Sequence, residues 1–189
     1  MNSLQFLVDS LILLYMLILM LRMWFQYCRV DFYNPLSQTL VKITNPVLNP
    51  LRKFIPTVKN LDLAVLFAVF LFGAIKLPLL AIAGGVWHSD LLHSWPTYLI
   101  IGVLGVVKTF GKMILYVIFI GAIMSWFRRG ADPFSYLLYQ LGEPVLAPLR
   151  RILPRTGMID FSPMIVAFAL FYANRVMYDL FPVLWALVS

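Results

Sequence analysis

Four stretches of about twenty mostly apolar residues recur along this 189-residue chain, and no other feature constrains its fold as tightly. They run from about Leu4 to Trp24, Asp62 to Ala83, Val106 to Trp126 and Phe161 to Phe181. A helix of that length crosses roughly 30 Å of hydrocarbon. The third stretch has room to begin earlier, because Tyr98 to Val107 is also apolar. Composition agrees: 62% of residues are hydrophobic and 12% charged, against roughly half and a quarter in a soluble domain. So few charges cannot cover a soluble surface. That excludes a cytosolic enzyme, a secreted disulfide scaffold and, despite a net charge of +7, a nucleic-acid binder. The single cysteine, Cys28, cannot form an internal disulfide. The first stretch lacks a preceding basic residue and a following small-residue cleavage site, so it is expected to remain as a span.

Basic residues give the orientation. Six of the fifteen (Arg22, Arg29, Lys42, Arg52, Lys53 and Lys59) lie from Arg22 to Asn60, at the end of the first stretch and before the second. Five more (Arg128, Arg129, Arg150, Arg151 and Arg155) lie between the last two. The middle loop and both ends of the chain have none. Basic loops stay cytoplasmic, which places both termini and the middle loop outside. Trp24 and Trp126 then mark the inner interface, and Trp87, Trp95 and Trp185 the outer one.

The chain also repeats itself. Asn45-Pro-Val-Leu-Asn-Pro-Leu-Arg-Lys-Phe-Ile-Pro56 matches Glu143-Pro-Val-Leu-Ala-Pro-Leu-Arg-Arg-Ile-Leu-Pro154 at an offset of 98 residues. Pro35 falls on Pro133, Ser37 on Ser135, Leu40 on Leu138 and Asp62 on Asp160 at the same offset. Trp24 falls on Trp126 once the first copy is given four extra residues around Arg29 to Tyr33. Residues 1–97 and 98–189 are therefore expected to be two copies of one unit: span, basic segment, span. An even number of spans per copy makes the copies parallel, related by an axis along the membrane normal. The fold class expected is an all-α membrane protein: four transmembrane helices in two parallel tandem repeats, each with amphipathic interfacial helices on the cytoplasmic side.

In the basic segments, Asn34-Pro35 starts a helix. Leu36, Leu40, Val41 and Ile43 follow at roughly helical spacing, and a second short helix is expected from Asn49-Pro50 to Pro56. Arg52, Lys53, Arg150 and Arg151 offer a contact surface. One reading is anchoring on the anionic inner leaflet, at about 1 kcal/mol per basic residue. The other is docking of a membrane-protein partner or a second copy of the chain. The exchange of Lys53 for Arg151 between copies fits lipid contact. Asp62 and Asp160 sit where each following span begins, suited to capping the helix and to pairing with Arg52 or Arg150.

Four charges fall deep within the spans. Lys76 lies fourteen residues beyond Asp62, Lys112 fourteen before Trp126, Arg175 fourteen beyond Phe161 and Asp9 fifteen before Trp24. At 1.5 Å per residue all four stand about 21 Å from the inner boundary. They form a polar layer lining a path, with Asp9 paired to a base, or else the cations reach for the outer headgroups. Lys108 and Lys112, four apart, fit the second reading best.

No phosphate loop, dinucleotide fingerprint or His-Glu-x-x-His motif occurs. Cys28 is separated by topology from both histidines, His88 and His93, which leaves it without a base. His88, Asp90 and His93 crowd one loop, too short a run to specify a metal site. No enzyme, cofactor or metal is expected.

The repeated Pro-x-x-x-Pro-Leu-Arg-[Lys/Arg]-x-[Ile/Leu]-Pro, followed by Leu61-Asp62 or Ile159-Asp160, resembles the YGGT family of small membrane proteins over essentially the whole chain. The second copy, with Gly157-Met-Ile-Asp160-Phe-Ser-Pro163, has the family pattern in full; the first has Lys59-Asn60 and Ala64-Val65 instead. The resemblance implies a multi-pass protein of the bacterial inner membrane, which with the charge bias puts both termini in the periplasm. It also implies a non-enzymatic role in cation homeostasis or osmotic and salt tolerance. The alternative it implies is an assembly or scaffold factor for membrane complexes, of the cell-division or cytochrome-maturation type.

Overall fold

The computed structural model describes residues 2–58, 61–85, 95–126, 133–152 and 160–188, and its regular structure among these is helical apart from one short antiparallel strand pair. The first apolar stretch forms α1 (Ser3–Tyr27). A capping box starts it: Asn2 Oδ1 accepts from the Gln5 amide and Gln5 Oε1 from the Asn2 amide, each at 2.8 Å. It stops in a Schellman turn, with Val30 N donating to Phe25 O (3.0 Å) and Arg29 N to Gln26 O (3.1 Å). Arg29 takes the left-handed position there, at φ 54°.

Asn34 caps α2 (Pro35–Arg52), accepting from the Leu36 amide at 2.9 Å. The two short helices expected here are one. Pro46 and Pro50 lie inside α2, each removing one backbone donor. Proline's fixed φ is compatible with a helix, and packing holds the segment together through fully buried residues such as Leu48. A two-residue hairpin follows, β1 (Thr57–Val58) against β2 (Leu61–Asp62), with Thr57 facing Asp62. It leads into α3 (Leu63–Ala83).

The next helix, α4 (Trp95–Trp126), has 32 residues and starts well before the expected Val106, since the apolar run from Tyr98 allows it to continue outward. Then come α5 (Pro133–Ile152), again with two internal prolines, α6 (Ser162–Leu180) and a short α7 (Pro182–Leu187) set off at Phe181 by Pro182. Both halves thus show the same order: apolar helix, amphipathic helix with prolines four apart, aspartate-led helix. Among the described residues three helices are long and apolar enough to cross a membrane: Ser3–Tyr27, Leu63–Ala83 and Trp95–Ser125. The expected fourth span, α6, is not among them, because Asn174, Arg175 and Asp179 interrupt its second half.

The core forms where α1, α3 and α4 meet, around Met16, Leu19, Met20, Val65, Val69 and Met113. Glycines bring α3 and α4 together. A Cβ on Gly73 would stand 3.2 Å from the Gly102 Cα, and one on Gly102 would stand 2.9 Å from the Phe70 carbonyl oxygen. Besides this α3–α4 contact, the two halves also meet near the end of α1, where Trp24 Nε1 donates to Leu141 O (2.9 Å) and Gln140 Nε2 to Cys28 O (3.0 Å).

Candidate functional site

Two polar regions stand out, one deep among the apolar helices and one at the basic ends. In the first, Asp9 of α1 and Lys76 of α3 form an ion pair at 2.8 Å, with side chains 16% and 4% exposed. Each residue interrupts an apolar stretch of its helix and meets an opposite charge in the other. Lys112 of α4 lines the same small cavity as Lys76, with Lys108 and Thr109 beside it. Lys108, which sequence spacing directs toward headgroups, is instead buried. Its Nζ donates to the Trp185 carbonyl (3.0 Å) and lies 4.7 Å from the Trp185 ring centre and 5.4 Å from that of Tyr178. Trp185 is held in turn by its own Nε1, which donates to Asn174 Oδ1 at 2.9 Å.

The structure gathers Asp9, Lys76 and Lys112 but leaves Arg175 apart. Arg175 is exposed and pairs with Asp179, one turn along α6, at 3.2 Å. With Lys108 beside them, one carboxylate and three lysines give a formal charge of +2. The cavity beside them measures about 10 Å³, at most room for one water molecule.

At the basic ends the same clamp appears twice. Arg52 Nε donates to Asp62 Oδ2 (3.1 Å), with Nη2 on the same oxygen, while Asp62 Oδ1 accepts from the Ala64 amide (3.1 Å). Arg150 Nε donates to Asp160 Oδ2 (2.8 Å), and Asp160 Oδ1 accepts from the Ser162 amide (2.9 Å). Asp62 is the N-cap of α3, whereas Asp160, expected to cap its helix, stands one residue before the N-cap Phe161 and takes only the first amide of α6. Each aspartate ties the preceding helix back to the next. Arg150 also pairs with Glu143 (2.7 Å) and lies over the Tyr139 ring at 5.6 Å. Burial alone would raise the Asp160 pKa, but hydrogen bonds from Ser162 and Arg150 and the Arg150 charge hold it below the usual carboxylate range. For Arg150, burial acts downward and is outweighed by Asp160 and Glu143, which raise its pKa. The four contact residues read from sequence therefore divide. Arg52 and Arg150 turn to their aspartates, while Lys53 and Arg151 are exposed.

Burial pushes the Cys28 thiol up to about 12, so it carries no thiolate at neutral pH. His88, Asp90 and His93 lie outside the described residues, as do Lys59, Arg128, Arg129 and Arg155. Among the described residues no three His, Cys, Asp or Glu groups come together as metal ligands.

Known proteins add the following. The family model described as CCB3/YggT matches residues 1–83 and 100–181. An uncharacterized protein of Haemophilus influenzae is 48% identical over 182 residues, covering 96% of this chain and 95% of its own length. A Vibrio alginolyticus protein described as uncharacterized, in the proC 3′ region, is 40% identical over 188 residues, 98% of each chain. The uncharacterized protein YggT of Escherichia coli K12 is 41% identical over 174 residues, 92% of this chain and 88% of its own. No solved structure matches.

Proposed function

Because the chain belongs to the CCB3/YggT family, matched in both of its halves, we propose that it is a non-enzymatic helper of other membrane proteins. It has four spans in two parallel repeats, sits in the bacterial inner membrane and keeps both termini in the periplasm. Its contribution to cation homeostasis or osmotic tolerance, which the family resemblance implies, runs through the proteins it assembles or stabilises. The observation that carries this reading is the closed state of the polar layer. Lys76, Lys108 and Lys112 line space for a single water. The cavity of about 390 Å³ that Lys108 and Lys112 also line, between α4 and α6, is walled mainly by apolar side chains such as Phe110, Leu170 and Phe171. The lysines' excess of positive charge repels a cation in a low-dielectric setting. A cation path needs the opposite on both counts. Of the four contact residues, Lys53 and Arg151 are the exposed ones, at matching repeat positions, suited to anionic lipid or to an acidic segment of a membrane-protein partner.

Purified protein in liposomes tests the reading. Potassium and sodium flux should equal that of empty liposomes and stay there after Asp9→Asn. Flux above that baseline, altered by Asp9→Asn, would establish a conducting protein and overturn the helper role.

A further inference from the structure

The two repeats carry the same clamp but differ by one buried cation. In the first, Arg22 of α1 turns into α2 and donates to Val41 O (3.3 Å), Thr44 Oγ1 and Asn45 Oδ1 (2.9 Å). It is only 8% exposed. The Trp24–Trp126 correspondence places Met124 where Arg22 stands, and the 98-residue offset places Tyr139, Gly142 and Glu143 on Val41, Thr44 and Asn45. A guanidinium has become a thioether, and the threonine side chain that met it has become a hydrogen atom.

Where those substitutions meet, the second repeat has a cavity of about 480 Å³. Met124, Tyr139 and Gly142 line it, and the Arg150–Asp160 clamp stands at its polar side. Its wall runs along α4 from Ser125 to Val117, about 12 Å toward the apolar middle of the helix. Charge differs in the same sense. In the first repeat Arg22 and Arg52 accompany Asp62, one positive charge in excess. In the second, among the described residues, Arg150 pairs with both Glu143 and Asp160, one negative charge in excess. The space therefore suits an amphiphile whose polar end is a cation with N–H donors and whose body is apolar.

We propose that this cavity holds an ethanolamine phospholipid of the adjacent leaflet, its primary ammonium taking the place that Arg22 fills in the first repeat. The ammonium faces the Asp160 carboxylate, and the acyl chain follows Val117, Ile118 and Leu138. Phosphatidylglycerol, with a negative headgroup, is repelled by the surplus carboxylate. Phosphatidylcholine has the cation but no N–H to donate.

Native mass spectrometry of the full chain, released from nanodiscs of mixed ethanolamine, glycerol and choline phospholipids, tests this. One ethanolamine lipid per chain should survive, preferred at least tenfold over either competitor. Met124→Arg rebuilds the first repeat's arrangement and should lower that retention at least tenfold. Glu143→Asn, the residue that the first repeat carries, should cut the preference severalfold with the melting temperature nearly unchanged. It keeps the test decisive if Met124→Arg does not fold. Equal retention of phosphatidylglycerol, full retention after Met124→Arg, or an unchanged preference after Glu143→Asn would each overturn the assignment. A cationic peptide or a second copy of the chain found in the cavity would overturn it as well.

Discussion

The Arg52–Asp62 and Arg150–Asp160 pairs stand at the same place in the repeat, each spanning ten residues, yet they rest in different surroundings. The Asp62 side chain is 1% exposed, covered as α1 packs onto β2. The Asp160 side chain is 42% exposed and shares its arginine with Glu143. Sequence identity thus specifies the bond, while the neighbouring helix decides what the bond contributes. A buried carboxylate stripped of its partner is left in a medium that cannot solvate it. An exposed one is taken up by water and salt.

That difference makes the largest expected effect. Arg52→Ala should destabilise the protein by about 3 kcal/mol, the lower end of the cost of breaking a buried pair, because the Arg22 charge still acts on Asp62. Arg150→Ala should cost about 0.2–1 kcal/mol, as exposed pairs do. Denaturant unfolding of both variants in one detergent measures the gap, and equal costs would break the comparison.

A smaller effect sharpens it. The four extra residues of the first copy include Arg29, held left-handed at φ 54°, with its carbonyl accepting from Gln140 of the second copy at 3.2 Å. That conformation costs an L-residue about 1–2 kcal/mol, and glycine returns about 0.5–1 of it as lost chain entropy. Arg29→Gly should therefore raise stability by roughly 0.5 kcal/mol. A loss instead would mean that the Arg29 side chain contributes to the join between copies.

Which parts were legible in the sequence follows from the range of the forces involved. Asn34 before Pro35 and an aspartate before each following helix are local signals, and the structure realises the caps on α2 and α3 residue by residue. Depth counting placed Asp9 and Lys76 at one level because helical rise is fixed, and the two meet at 2.8 Å. What escaped was tertiary. Asn49-Pro50 reads as the start of a second helix, yet burial carries α2 through Pro46 and Pro50. Lys108 read as a headgroup seeker because nothing local reveals that α7 brings the Trp185 carbonyl to it. Arg22 counted only as an interfacial cation, though the match of Thr44 with Gly142 and of Asn45 with Glu143 was already there to mark its socket. Depth alone also put Arg175 in the layer, but Asp179 one turn away offers it a partner without crossing the bundle.

Acid separates the two clamps by a still smaller margin. The Asp160 pKa is held below the usual carboxylate range in the folded protein, against an unfolded value near 3.9. A carboxyl with a depressed folded pKa stabilises the fold fully above its unfolded pKa. It loses that contribution as pH falls through the folded value, where the native state too takes up the proton. Arg150 stays charged throughout, since its own pKa is raised. The parent should therefore lose stability more steeply than Arg150→Ala as pH drops below about 4, and the two unfolding midpoints should converge. Added salt should narrow the gap at neutral pH, because more than a third of the carboxylate is open to solvent. A gap unchanged by acid and by salt would show that Arg150 acts through packing on Tyr139, not through its carboxylates.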